Sequence, residues 1–244
     1  MTYCVAMNLA EGLVLVADSR TNAGVDHIAT YRKLHVFGLP GERLLVLQTA
    51  GNLATSQSVI SLLRQRLNSS ATNLHSVSNL FDAAGLVGNT LREVIARDAS
   101  ATLGQGVDLG CSFVLGGQIG QEPVRLFNVY PQGNFIESTA DTPYFQIGES
   151  KYGKPILDRA LSYTTPLQQA LRCALISFDS TIRSNLSVGM PLDLLVYRAG
   201  SLEVPTGYRV HEDDPYYQEI CGHWGAGLRQ LLGELPAPPQ GYWQ

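Results

Sequence analysis

Apolar positions open the chain with little interruption and then change period several times. Residues 3–8 and 12–18 run apolar or alternate around Leu9-Ala10-Glu11-Gly12, which predicts a β-hairpin starting at the head of the chain. A second strand pair is predicted at 27–37 and 43–50, hinged on Leu39-Pro40-Gly41-Glu42, where Pro-Gly signals a turn. Apolar residues then recur every three or four positions over about 52–68 (Leu53, Val59, Ile60, Leu63, Leu67) and 77–99 (Leu80, Ala83, Val87, Leu91, Val94), predicting two helices lying together over one sheet. Strand-like runs return at 110–118, 123–130 and 134–138 and read as a meander. Helices follow at about 149–161 and 167–183, then strands at 192–198 and 202–210. A last helix from about 215 to 234 precedes a tail in which Pro236, Pro238 and Pro239 end regular structure.

Strands, helix pair, strands, helix pair, strands is an order that buries two sheets face to face with helices outside both. The expected fold class is therefore α/β (α+β), a four-layer α-β-β-α sandwich of two antiparallel sheets. Neither a repeat of solenoid period nor a low-complexity linker divides the chain, so residues 1–244 are expected to form one domain, its C-terminal helix and Pro-rich tail at about 215–244.

Composition narrows the classes of function. No stretch reaches the roughly 18 uncharged apolar residues of a membrane span, and the start of the chain lacks the basic-then-apolar pattern of a secretory signal. A cytoplasmic protein is expected. Cys4, Cys111, Cys173 and Cys221 are widely spaced, with neither a C-x-x-C pair nor histidines at zinc-site spacing, so buried free thiols and no cofactor or metal are expected. A formal charge of -4 without Lys/Arg runs argues against nucleic acid and anionic membranes as partners. Charged residues make up only 16% of the chain, against about 25% in an average soluble protein, a sign that surface is hidden between subunits.

Chemistry concentrates at the start. Thr2 becomes the terminal residue if Met1 is trimmed. A free α-amine titrates near 7.7–8.0, far below the roughly 10.4 of lysine, so part of it is an available base at neutral pH. Hydroxyl nucleophile and base would then belong to one residue. Antiparallel pairing of the first hairpin brings Thr2 beside Asp18, and Lys33 on an adjacent strand would reach both, paired to the acid and aimed at the hydroxyl. Gly51, closing an apolar strand and opening a helix in Gln48-Thr49-Ala50-Gly51-Asn52-Leu53, offers an unobstructed N–H suited to an oxyanion. Taken singly, Asp18 reads as a turn residue, Lys33 as a solvated charge and Gly51 as a strand end; together they converge.

These segments, with Val14-Leu15-Val16-Ala17-Asp18-Ser19-Arg20-Thr21-Asn22 and Tyr31-Arg32-Lys33-Leu34, resemble proteasome β subunits. The resemblance implies the N-terminal-nucleophile (Ntn) hydrolase fold and a catalytic set of Thr2, Asp18, Lys33 and Gly51. It further implies that Ser150, in Gly148-Glu149-Ser150, and Ser187, in Arg183-Ser184-Asn185-Leu186-Ser187-Val188-Gly189, support the nucleophile. The acid that the family carries near Ser187 is missing here, and Asp179, Ser184 or Asn185 remains open as its replacement. Arg20, Thr21, Asn22, Thr49 and Leu53 would meet substrate, an extended peptide or unfolded protein chain. Within the family these motifs and the long C-terminal helix look like the bacterial Anbu branch, the proposed ancestral β subunit, which implies a homo-oligomer closed as a ring or opened as a helical turn. Threonine peptidase is the first expectation. A weak or silent shell subunit, and an amidase for a small metabolite, are the alternatives.

Overall fold

The computed structural model describes residues 2–22, 28–69, 71–100 and 106–243. Met1 and positions 23–27, which include the first residue of the predicted second strand pair, lie outside the described residues.

Strands β1 (Tyr3–Leu9) and β2 (Gly12–Asp18) form the expected hairpin, followed by the short ladder β3 (Arg20–Asn22) with β4 (Ile28–Thr30). β5 (Leu34–Leu39) and β6 (Arg43–Gly51) lead into helices α1 (Leu53–Arg66) and α2 (Leu80–Ser100). β7 (Cys111–Ile119), β8 (Arg125–Val129) and β9 (Phe135–Glu137) are the meander. β10 (Tyr144–Gly148), helices α3 (Lys154–Ala160) and α4 (Leu167–Ser184), β11 (Leu192–Arg198), β12 (Tyr208–Val210) and helix α5 (Pro215–Glu234) complete the order, with a 3-10 turn at Gln240–Trp243.

Two five-stranded antiparallel sheets result, ordered β10-β1-β2-β11-β12 and β5-β6-β7-β8-β9. The apolar runs of β1 and β2 follow from burial on both faces. Tyr3, Val5, Met7, Val14 and Val16 pack under α3 and α4, whereas Cys4, Ala6, Leu13, Leu15 and Ala17 meet Leu44, Val46 and Val114 of the opposite sheet. The other sheet lays Leu45, Leu47, Phe113 and Leu115 under α1 and α2. The expected four layers are present, in the arrangement that the resemblance implies. Fully buried Gln48 of β6 stitches the layers together, its amide donating to the Val5 and Val16 carbonyls at 3.2 and 2.9 Å.

Several expectations are corrected. Among the described residues six strands, rather than four, precede the first helix, because Arg20–Asn22 forms β3 and the predicted 27–37 strand breaks into β4 and β5 around residues 31–33. The 149–161 helix begins only at Lys154, since residues 149–153 form the loop that leaves β10. The 202–210 strand shrinks to Tyr208–Val210. β10 itself was not foreseen; its pairing makes β1 an interior strand. Among the described residues no helix is long and apolar enough to cross a membrane.

Candidate active site at the head of the first strand

Because β1 is interior, residue 2 is gripped from both sides. On the β10 side Tyr3 pairs with Gly148, and the Thr2 carbonyl accepts the Glu149 N–H at 2.6 Å. Gly148 is required here: its φ is +83°, and a Cβ would collide with the Thr2 carbonyl oxygen. On the β2 side the register sets Cys4 opposite Ala17, which carries Asp18 alongside Tyr3.

Asp18 is fully buried and accepts three hydrogen bonds. Its Oδ1 accepts the Tyr3 N–H at 3.0 Å and the Lys33 ammonium at 2.6 Å, and its Oδ2 accepts the Gly189 N–H at 3.3 Å. Burial pushes this carboxyl above its ordinary value, and the Lys33 charge and the three donors pull it back. Lys33 is also buried and gives a second N–H to the Arg20 carbonyl at 2.6 Å. An ammonium has three donors, so one is uncommitted among the described residues, and both Lys33 and Thr2 line the same cleft.

The expected origin of Lys33 is corrected. It does not sit on a strand beside β2 but in the segment leading into β5, an edge strand of the opposite sheet. Its carbonyl accepts the Thr49 N–H at 3.0 Å, which ties that segment to β6. The acid and its cation therefore come from different layers.

The cleft holds about 180 Å3 and is lined by Thr2, Thr21, Lys33, Thr49, Ala50, Gly51, Leu53 and Ser56. Gly51 ends β6 with φ +107°, and a Cβ there would lie 2.6 Å from the Gly110 carbonyl oxygen. Helix α1, capped by the Asn52 side chain on the Thr55 N–H at 3.1 Å, opens its N-terminus on the cleft, where the helix dipole favours developing negative charge. Ser56 and Ala50 were not singled out from sequence. Ser56 sits at the helical spacing of a core residue, so its pattern carried no signal for a wall of the cleft.

The remaining expected residues are spread more widely. Thr21, Thr49 and Leu53 are in the lining, and Asn22 is at the end of β3 opposite Ile28. Arg20 does not line the cleft; its guanidinium lies against Gly189 and donates to the Leu186 carbonyl at 3.1 Å. Ser150 is exposed, and neither its hydroxyl nor that of Ser187 makes a hydrogen bond among the described residues. Of the three candidates for the missing acid, Asp179 is engaged by Arg183 at 2.9 Å on α4, and Ser184 is exposed at that helix's end. Asn185 turns toward the β10 loop, its amide donating to Glu149 Oε2 at 2.9 Å.

Cys4 is no nucleophile. It is wholly buried between the sheets with its thiol on the Thr49 carbonyl, and burial drives its titration far up.

A model of the proteasome subunit family matches residues 2–196. The chain belongs to the proteasome subunit family. Among solved structures it is similar to the Anbu complex of Pseudomonas aeruginosa, described as a helical assembly, with 65% identity and a TM-score of 0.96 over 99% of this chain and 100% of that one. Anbu from Yersinia bercovieri is 58% identical, with a TM-score of 0.93 over 98% and 100% of the two chains. Anbu from Hyphomicrobium sp. strain MC1 is 46% identical, with a TM-score of 0.89 over 97% and 99%. The Anbu branch of the family is thus the one to which the chain belongs. No match was found among curated proteins.

Proposed function

We propose that the chain is a threonine peptidase in which Thr2, freed by removal of Met1, is the nucleophile, working within a homo-oligomer. The observation that carries this reading is the gathering of Thr2, the buried Asp18–Lys33 pair and Gly51 around one cleft. In the reaction the α-amine takes the Thr2 hydroxyl proton as the oxygen attacks the peptide carbonyl. Lys33, held by Asp18 and the Arg20 carbonyl, favours the forming alkoxide. The Gly51 N–H steadies the oxyanion, the leaving amine receives the proton, and water, activated by the same amine, releases the acyl group. Thr21 and Asn22 on one side, with Thr49 and Gly51 on the other, suit an extended peptide docked as an added strand. A cleft of about 180 Å3 walled by Thr21, Thr49 and Ser56 suits a short, uncharged side chain before the cut.

Assembly is supported by α5, whose outer stretch exposes Trp224, Leu228, Leu231 and Leu232 at helical spacing, with exposed Leu235 just beyond its end, an apolar face left uncovered in the single chain. The helical assembly of the Pseudomonas relative makes a helical turn of subunits the arrangement proposed here.

Incubation with a threonine-directed electrophile, followed by intact and peptide mass, tests processing and nucleophilicity together. The expected product lacks Met1 and carries one adduct on Thr2, and Thr2→Ala abolishes both adduct and peptide turnover. Turnover retained in Thr2→Ala would reject the mechanism. The second reading, a shell subunit of little activity, is favoured by the exposed Ser150 and the lack of a carboxylate at Asn185; a processed chain that takes no adduct would establish it. Profiling small amides beside peptides separates peptidase from metabolite amidase.

A further inference from the structure

Glu149 is a buried carboxylate that the mechanism above does not use. Its backbone N–H holds the Thr2 carbonyl, and its side chain reaches in another direction. Oε1 accepts the Lys151 N–H at 2.9 Å and Oε2 accepts the Asn185 amide at 2.9 Å. Asn185 in turn organises the turn that follows α4. Its Oδ1 accepts the Ser187 N–H at 3.0 Å, and its carbonyl accepts the Val188 N–H at 3.1 Å. One residue further on, the Gly189 N–H is the donor that holds Asp18 Oδ2.

We propose that Glu149, acting through Asn185, is a positioning residue that locks the loop gripping Thr2 to the turn gripping Asp18, so that nucleophile and acid are set by one part-buried carboxylate–amide contact. This rests on the peptidase reading for its catalytic meaning, but the contact itself stands on the geometry.

The residue types fit the task. Two N–H groups converge on the side chain of residue 149, one from the main chain and one from an amide. Only a group that accepts at both oxygens satisfies them, which a carboxylate does and a glutamine does not. No cation forms an ion pair with Glu149 among the described residues, so its partners are amides alone. Asn185 matches it because it presents NH2 to Glu149 while its oxygen serves Ser187. An aspartate at 185 would set two carboxylates against each other. The missing acid is thus accounted for by exchange: the carboxylate stands on the β10 loop and the amide on the α4 turn.

That exchange supplies its own test. Glu149→Gln and Asn185→Asp each place like groups together, whereas the double swap E149Q/N185D restores a donor to each acceptor. In the full-length protein, each single variant should slow electrophile labelling of Thr2 and peptide kcat at least tenfold, with KM within about threefold. Amide exchange at Tyr3 and Gly189 should quicken. The double swap should recover labelling and exchange to within about threefold of the parent. Unchanged labelling and exchange in E149Q would overturn the proposal, as would a folded double swap no better than the worse single variant. If the parent itself takes no label, the exchange arm still decides: quickening in the singles and recovery in the swap uphold the lock while the peptidase reading falls. Should a single variant not fold, the swap decides alone.

Discussion

Two buried acids lie diagonally across the paired strands β2 and β11, where Asp18 faces Leu192 and Asp193 faces Ala17. Each is engaged by a cation, and the two contacts differ in kind. Asp18 meets a lysine at 2.6 Å, with both partners almost wholly out of water. Asp193 meets the Arg209 guanidinium, which spends two nitrogens on its two carboxylate oxygens at 2.8 and 2.9 Å and is itself 27% exposed. A planar fork that closes on a carboxylate has its remaining donors fixed in one plane, whereas an ammonium is a rotatable point charge that can serve an acid, a carbonyl and a third group at once. The same attraction thus makes a strut at Asp193 and, under the reading proposed here, a tool at Asp18.

The sharpest way to break this contrast is Asp18→Asn. It leaves the buried Lys33 charge uncompensated and should cost about 3 kcal/mol in chemical denaturation, as removal of one partner of a buried pair does. Labelling of Thr2 should fall at least a hundredfold. Next, Lys33→Arg keeps the charge but forces a fork into a site shaped for a single nitrogen, so labelling should fall tenfold or more while the stability loss stays below that of Asp18→Asn. Asp193→Asn should cost about 2 kcal/mol, less because Arg209 reaches water, and leave the labelling rate within threefold. A labelling loss as deep as that of Asp18→Asn would erase the distinction.

The smallest effect belongs to His35, which sees both the Asp193 charge and the opposing charges of Arg64 and Arg32. Burial, aided by Arg64, lowers it from about 6.5 to about 4. The unfolded chain therefore takes up a proton below about pH 6.5 that the folded chain refuses, so the stability contribution present at neutral pH is lost as pH falls toward 4. At pH 5.5, one unit below the unfolded value, this amounts to about 1.4 kcal/mol, using about 1.4 kcal/mol per pKa unit. Denaturation at pH 7.5 and 5.5 of the parent and of His35→Gln should differ by that amount, the variant losing less. An identical pH response would show that His35 does not titrate in this way.

Much of this was legible in the chain, and the illegible parts have physical reasons. The first hairpin set Thr2 and Asp18 together because antiparallel register is local arithmetic. Lys33 was expected near them and is near them, but from the opposite sheet, a route that no local pattern encodes. Tyr144–Gly148 passed unnoticed because its four apolar and polar residues before the glycine are too few to show a period, yet this strand is what encloses β1. The resemblance pointed to Ser150, while its neighbour Glu149 makes the part-buried contact with Asn185. Arg20 was expected at substrate and instead packs on Gly189.

The sequence by itself determined the layers, the hairpin that seats residue 2, and the residue types gathered at the cleft, because periodicity, turn chemistry and short-range pairing act over a few neighbours. Only the tertiary structure decided which layer delivers the cation, which loop grips Thr2 from the far side, and whether Asp179 or Asn185 turns toward that loop. Those outcomes depend on how the sheets and helices stack, and stacking is a property of the whole buried interior rather than of any segment.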